Sequence, residues 1–449
     1  MKMNLEKIID EFINNYVYVA PFADIEEIRM YLNQMKNLII KNKDKTIEEL
    51  IELMLKDNVE EIDEIRKTYG IPGYNLGIKV GNIKIKLYGG KINYQGDEMP
   101  DDALFDIASM TKFYTQVIAY NLIKEGYFSF NDRITDLDSR FVNLSDLTVE
   151  DILTFGTTFY TQMRIRDAKT ISDAQNILFN SQVIEKNKYN YNDIGMMIIK
   201  EVMESVTGLG FAELLDKYII KPYHLTGTYL IVPKEKYHLI TGTPNFMIGH
   251  INDMGANAMG GYSGHAGIFS TSDDLLEFLI DIHKSDIAKD AYTKGKLNSA
   301  IGRMGNVYVS HPLGLEKSFV DTLEPSDSIA IQGSTRVNAT GSSSSSHNIL
   351  FNPSSMSIEE AKYRVAKINE ERLKEGMKPI DPIHEFELLR NGELIKYNLI
   401  DPRQLLPLSS MTKVIKRNAI TILKLRFFNE VLKRYSNEHD KTINFTRNK

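Results

Sequence analysis

The sequence predicts a mixed α/β protein of the α+β type, with helices and short β-hairpins following an all-helical N-terminal stretch. Three observations predict it. Apolar residues from Leu5 to Tyr69 recur at helical spacing in successive runs. At Gly70-Ile71-Pro72-Gly73 the texture changes to β-rich runs, Tyr74 to Val80 and Ile83 to Leu87, joined by Gly81-Asn82. Beyond them, long helix-periodic runs alternate with Gly-dense loops and one further hairpin around Asn391-Gly392.

Residues 4–17 place Leu5, Ile8, Ile9, Phe12, Ile13, Tyr16 and Val17 on one helical face, and residues 24–41 do the same with Ile25, Ile28, Leu32, Met35, Leu38 and Ile39. Thr46 to Leu55 and Val59 to Tyr69 read as two further short helices. This is an extension over residues 1–68, read as a packing or homo-oligomerisation element or else as a ligand-binding or lid segment, ahead of a main domain at 69–449. Gly126 ends the helix that starts near residue 110. Leu147 to Leu153 reads as a capped helix start, Met196 to Val206 as a helix, and Ser270-Thr271-Ser272-Asp273-Asp274 as the cap of a helix from Leu275 to His283. The five serines Ser342 to Ser346 read as a low-complexity loop on composition, or as an edge strand of small residues. Ile358 to Glu375 is a charged amphipathic helix, Phe386 to Leu389 and Leu394 to Leu399 form a hairpin, and residues 408–435 form a closing helix.

The bulk numbers exclude several function classes. A net charge of −6 gives no electrostatic footprint for nucleic acid or an anionic membrane. The absence of cysteine removes disulfides, thiolate metal sites and cysteine nucleophiles. The nine histidines show no metal-ligand spacing with Asp or Glu, so neither a metal nor another cofactor is expected. No run of about 18 apolar residues occurs, so no membrane span is expected. Met1-Lys2-Met3-Asn4-Leu5-Glu6 lacks a basic segment followed by an apolar one, which makes the expected location cytoplasmic.

The chemistry gathers at Phe105-Asp106-Ile107-Ala108-Ser109-Met110-Thr111-Lys112, ahead of the apolar run Phe113, Val117, Ile118, Tyr120, Leu122, Ile123. On a helix, residues i and i+3 share a face, so the Lys112 amine can lie beside the Ser109 hydroxyl. A serine needs a neighbouring base to become a nucleophile, and gains from the positive end of a helix. Four letters alone decide little, because Ser410-Met411-Thr412-Lys413 repeats them. There Ser410 reads as an N-cap and Lys413 as a solvated side chain. Tyr191 and Asp193, in Tyr189-Asn190-Tyr191-Asn192-Asp193-Ile194-Gly195, can bring a phenol and a carboxylate to one place, though such a loop is also an ordinary turn. Asn257 to Gly267 is dense in glycine and carries His265, readable either as catalytic or as a structural histidine beside a site.

Taken together these segments resemble the serine β-lactamase and penicillin-binding-protein superfamily. Within it they are most similar to the class C β-lactamase-like serine hydrolases, a group of esterases, D-Ala-D-Ala carboxypeptidases and D-aminopeptidases. Phe105 to Lys112 resembles the nucleophile motif, Gly70 to Gly73 the Ile-Pro-Gly before the first strand, Tyr191-Asn192-Asp193-Ile194-Gly195 the second motif in its Tyr-x-Asp-x-Gly form, and Gly264 to Leu275 the Gly-His-Ala-Gly stretch of esterase-like members. The resemblance covers roughly residues 70–353. It implies an antiparallel sheet flanked by helices, an all-helical subdomain at roughly 113–330, and a helical insertion at roughly 356–380.

By resemblance, Ser109 attacks an acyl carbonyl, Lys112 and Tyr191 share the proton work in an order left open, and Asp193 orients Lys112. Thr340, Gly341, Ser342 and His265 would line the substrate and oxyanion side, the oxyanion lying on the N–H groups of Ser109 and Ser342. The partner is then a small-molecule or peptide ester or amide. Two departures stand out. Ala339-Thr340-Gly341-Ser342 has alanine where the family's third motif has Lys or His, and Phe155-Gly156-Thr157-Thr158 replaces a His-Thr-Ser-Gly. The missing cation counts against β-lactam or D-Ala-D-Ala substrates more than against an uncharged ester or amide. The same departures motivate an alternative: a relative that binds ligands or scaffolds partners without turnover.

Overall fold

The computed structural model describes residues 4–15, 25–68, 71–92, 97–187, 190–241, 251, 253–284, 328–332, 336–340, 345–351, 358–374, 376, 379, 384–390, 393–399, 408–436 and 441–448. For the strands between 328 and 399 the description is of the main chain. The helices are α1 (Leu5–Asn15), α2 (Ile25–Lys41), α3 (Ile47–Thr68), α4 (Thr111–Lys124), α5 (Ile134–Leu137), α6 (Val149–Leu153), α7 (Ile171–Phe179), α8 (Ile194–Thr207), α9 (Phe211–Leu215), α10 (Met254–Ala258), α11 (Ser272–Lys284), α12 (Ile358–Lys374) and α13 (Leu408–Tyr435). The strands are β1 (Gly73–Val80), β2 (Ile83–Gly90), β3 (Phe105–Asp106), β4 (Thr157–Tyr160), β5 (Gln182–Lys186), β6 (Phe269–Ser270), β7 (Ser328–Gln332), β8 (Arg336–Thr340), β9 (Ser345–Phe351), β10 (His384–Arg390), β11 (Glu393–Leu399) and β12 (Ile443–Asn448).

Six strands form the main sheet in the order β12-β2-β1-β9-β8-β7. All neighbours are antiparallel except β12, which adds to β2 in parallel. The pleat decides what covers each face, since alternate residues point to opposite sides. On β1 and β2 the pairs Leu76–Leu87, Ile78–Ile85 and Val80–Ile83 form one apolar row. That row shares a core with Leu32, Ile51, Leu55 and Ile62 of α2 and α3 and with Leu423, Phe427 and Phe428 of α13. The N-terminal helices therefore close one face of the sheet with the last helix. The opposite face takes α11. Asn75 accepts from Ser272 Oγ at 2.7 Å, Lys84 reaches Glu277 at 2.9 Å, and a side chain at Gly77 would press on Leu276 at 3.2 Å. Beyond α11 lies the second large core, built from α4, α6 to α9 and their loops.

The third expected and fourth expected short helices are one helix, α3. No glycine or proline interrupts Lys56-Asp57-Asn58, and buried Asn58 donates to Thr421 of α13 at 3.0 Å. The cap of α11 is Thr271, whose Oγ1 accepts from Asp274 N at 3.2 Å. The serine run is a strand where it can be described: Ser345 and Ser346 open β9 and pair with Val80 and Lys79. Pairing with β1 overrides a composition that favours loop. Ser410 lies in the first turn of α13. Among the described residues no helix is long and apolar enough to cross a membrane.

The α3–α13 interface makes a direct prediction. Leu55 has no exposed surface and Leu53, two residues earlier, is 39% exposed. Leu55→Ala should cost about 2–5 kcal/mol by denaturant unfolding, and Leu53→Ala less than about 1 kcal/mol.

Candidate active site

The nucleophile segment is held by short-range geometry. Strand β3 pairs with β6, Phe105 opposite Ser270. The chain then turns sharply: Asp106 Oδ1 accepts from Ala108 N at 2.8 Å, and Ala108 adopts a φ of +47°. A left-handed non-glycine residue costs of order 1–3 kcal/mol and persists only where the surroundings dictate it. Here it launches a single tight turn, Ala108–Met110, that runs directly into α4. Ser109 sits in that turn, partly exposed, at the positive end of a 14-residue helix.

Lys112 lies one turn on and has no exposed surface. Its Nζ donates to Ser109 Oγ at 2.9 Å and to the His265 carbonyl at 3.3 Å, and lies 2.7 Å from Asp193 Oδ1. It also sits 4.9 Å from the Tyr191 ring centre. Burial alone would drive the amine towards its neutral form. The Asp193 carboxylate and the Tyr191 oxygen outweigh that, so Lys112 is held above the usual lysine range as an ammonium. Asp193 is reciprocally held below the usual carboxylate range: burial raises it, but Lys112 and His265 prevail. Its side chain still keeps 47% of its surface.

The Tyr191 loop is cradled by the stretch that departs from the family pattern. Asn190 N donates to the Phe155 carbonyl at 2.8 Å, Asn190 Nδ2 to Thr158 Oγ1 at 3.0 Å, and Asn192 Nδ2 to the Thr157 carbonyl at 3.1 Å. Phe155 has a φ of +54°, and its ring centre lies 5.2 Å from that of Tyr191, tilted by 32°. Gly195 N donates to Asn192 Oδ1 at 2.8 Å and so starts α8 immediately after Asp193. Ser109, Lys112, Tyr191 and Asp193 are thus brought together from two helix starts about 80 residues apart in sequence.

His265 is placed differently from a substrate-lining group. It is 1% exposed, and its Nε2 bonds Asp253 Oδ1 at 2.9 Å. Asp253 has no place among the sequence candidates; the only signal it carries is that of a helix cap, and its Oδ1 does accept from Ala256 N of α10 at 2.8 Å. Asp193, Asp253 and His265 present oxygen and nitrogen atoms within 4.8 Å of one another, a cluster invisible in the spacing of the chain, with the Lys112 ammonium on its Asp193 side. Of the oxyanion candidates, Thr340 ends β8 opposite Ser346, in the row of Lys79 on the face that meets α11. Ala339 pairs with His347, in the row of Ile78. The strand lying against the Ser109 turn is β7, one further out. Gly341 and Ser342 lie outside the described residues.

The Beta-lactamase family model matches residues 55–315 of this chain. The chain belongs to the Beta-lactamase family. Its fold is that of class C β-lactamases. It superposes on a class C β-lactamase in complex with cefoxitin with a TM-score of 0.54 at 15% identity, over 70% of this chain and 97% of that one. For a class C β-lactamase from Rhodobacter sphaeroides the TM-score is 0.51 at 14% identity, over 67% and 94%. Two curated relatives align at low identity. A putative D-alanyl-D-alanine carboxypeptidase of Escherichia coli K12 is 26% identical, over 49% of this chain and 63% of its own length. A teichoic acid D-alanine hydrolase of Staphylococcus aureus is 23% identical, over 56% and 64%. The chain thus spans a little under two-thirds of the curated relatives it matches.

In this Beta-lactamase family member the Lys112–Asp193 pair should be visible in stability as well as in activity. Asp193→Asn strands a buried ammonium. The cost should be about 1–3 kcal/mol at neutral pH, below that for a fully enclosed pair because Asp193 is half exposed. The sign with pH follows from the lowered carboxylate. Its contribution is present above the unfolded value of about 4 and is lost as pH falls through the lower folded value. Wild type should therefore lose stability on acidification from about pH 4 faster than Asp193→Asn; parallel unfolding curves would count against the pair.

Proposed function

We propose that the protein is a serine acyl-hydrolase that works through an acyl-enzyme on an ester or amide, in the manner of a carboxylesterase or a D-amino-acid peptidase. The observation that carries this reading is Lys112 Nζ, buried between Ser109 Oγ at 2.9 Å and Asp193 Oδ1 at 2.7 Å, with the Tyr191 ring 4.9 Å away. A structural lysine has no need of a partly exposed serine at a helix start. The names of the two curated relatives, a putative D-alanyl-D-alanine carboxypeptidase and a teichoic acid D-alanine hydrolase, both point to substrates that contain D-alanine.

The charge state of Lys112 suggests an order for the proton transfers. As an ammonium it donates to Ser109 Oγ and accepts nothing. The proton of Ser109 then passes to the Tyr191 oxygen, the other group that shares the proton work. The Ser109 Oγ–acyl carbon bond forms, the Tyr191 proton goes to the departing oxygen or nitrogen, and the acyl carbon–leaving group bond breaks. Water enters by the same route in reverse and releases the acid. The N–H of Ser109, at the start of α4, is one donor to the oxyanion; such a donor is worth about 10²–10³ in rate.

The test is direct. Incubation with a fluorophosphonate, followed by intact-mass and peptide analysis, should show one adduct on Ser109 and none in Ser109→Ala. Tyr191→Phe should lower kcat on a p-nitrophenyl ester by about 10²–10⁴, with KM little changed. Absence of any adduct would overturn the reading in favour of a binding or scaffolding relative.

A further inference from the structure

Buried His265 and half-buried Asp253 are groups that the proposed reaction does not use, yet they are tied to it from both ends. Residue 265 grips the site with its main chain, where its carbonyl accepts from Lys112 Nζ at 3.3 Å. It is gripped in turn by its side chain, whose Nε2 bonds Asp253 Oδ1 at 2.9 Å. Its loop is strapped to the same face of α4 on either side. Thr115 Oγ1 donates to the Gly264 carbonyl at 2.6 Å, and Ile268 N donates to Thr111 Oγ1 at 3.2 Å. Gly264 can take this path because it has no side chain: its φ is +74°, and a Cβ would lie 2.7 Å from Lys200. Asp253 is anchored separately, by capping α10.

We propose that the Asp253–His265 pair is a positioning element of the Ser109 site, fixing the carbonyl that aims Lys112 and supplying the second partner to a closely spaced pair of carboxylates. Two ionised carboxylates within 4.8 Å disfavour each other unless cations or donors are interleaved. Lys112 serves Asp193, and His265 serves Asp253 while facing Asp193. Among the described residues the chain runs Ser109–Lys112–Asp193 on one side and Lys112–His265–Asp253 on the other. Removing Asp253 leaves the buried imidazole without its partner and frees the loop carbonyl to drift. A drift of about 1 Å at that carbonyl turns Lys112 away from Ser109, a displacement that can cost about 10²-fold in rate.

The inference rests on the acyl-hydrolase reading, and the experiment separates the two. Labelling of wild type by a fluorophosphonate at Ser109 tests the reading. The positioning role is tested by the labelling rate, the kcat and KM on p-nitrophenyl acetate, and protection of Lys112 from reductive methylation, read by peptide mass. Asp253→Ala should slow labelling and kcat by about 10–100-fold with KM within about threefold, and should expose Lys112 to methylation. Asp253→Asn, which keeps the helix cap and one bond to the imidazole, should fall in between, and Asp253→Glu should recover part of the rate. Asp253→Asn carries the test if the alanine variant does not fold. A folded Asp253→Ala or Asp253→Asn with wild-type labelling, kcat and Lys112 protection overturns the proposal. If wild type itself is not labelled, the hydrolase reading fails, and Lys112 protection alone decides the positioning role.

Discussion

A fully buried ammonium is the constraint around which this molecule is arranged. Taking a lysine charge out of water costs several kcal/mol even after relaxation, so the fold must surround Nζ with acceptors. It does so with its own helix turn and two distant segments: Ser109 beside it, Asp193 at the start of α8, and the His265 carbonyl in the loop before β6. Each acceptor belongs to a segment that has its own reason to be there. Ser109 follows the strained Ala108 turn, Asp193 follows the Asn192-stabilised entry to α8, and residue 265 lies in a loop hydrogen-bonded along α4. The charge therefore works as a keystone for packing as well as a group poised for chemistry.

The same constraint explains why much of the site was legible in the sequence. Ser109 and Lys112 are three residues apart on one helix, and Tyr191 and Asp193 are two apart at a helix start, so each half carries its own local signature. Ser410 and Lys413 carry the same letters, but they lie in the first turns of α13, the helix whose later turns fill the far side of the sheet. Four letters do not encode partners from elsewhere in the chain, which for Lys112 are Asp193 and the His265 carbonyl. Asp253 was not legible for the opposite reason. Helix-capping aspartates are commonplace, and nothing in Asp253-Met254-Gly255-Ala256 shows that its carboxylate also meets an imidazole twelve residues on. Phe155 was legible as a departure and not as a support. Its stacking on Tyr191 appears only when β4 and the loop before α8 are brought side by side.

Local pattern failed in the fold where tertiary pairing decides. The α3 sequence carries a polar Lys-Asp-Asn break in its apolar stripe, which reads as a gap between two helices. In the folded chain Asn58 is buried against Thr421, so the break is a polar contact inside one continuous helix. The serine run reads as loop because serine competes for its own backbone. Its described residues, Ser345 and Ser346, open β9, whose seven antiparallel partners on β1, from Tyr74 to Val80, offer a better ladder.

The two departures from the family pattern bear on the site in different ways. Phe155 replaces a polar group beside the tyrosine with an aromatic face in a strained conformation. Strain of that kind is retained when neighbours over-determine it, and the neighbours here are Asn190 and Tyr191. The substitution thus sets an aromatic ring against Tyr191 at the expense of a polar contact. Ala339 lies on β8, paired with His347, whereas the strand against the Ser109 turn is β7, so this departure sits one strand away from the turn that carries Ser109. Among the described residues Lys112 Nζ lies 2.7 Å from Asp193 Oδ1 and His265 Nε2 lies 2.9 Å from Asp253 Oδ1, so each carboxylate has a partner of its own. Of the two departures, Phe155 is therefore the one whose contact with the site is direct, through the Tyr191 ring and the hydrogen bond from Asn190.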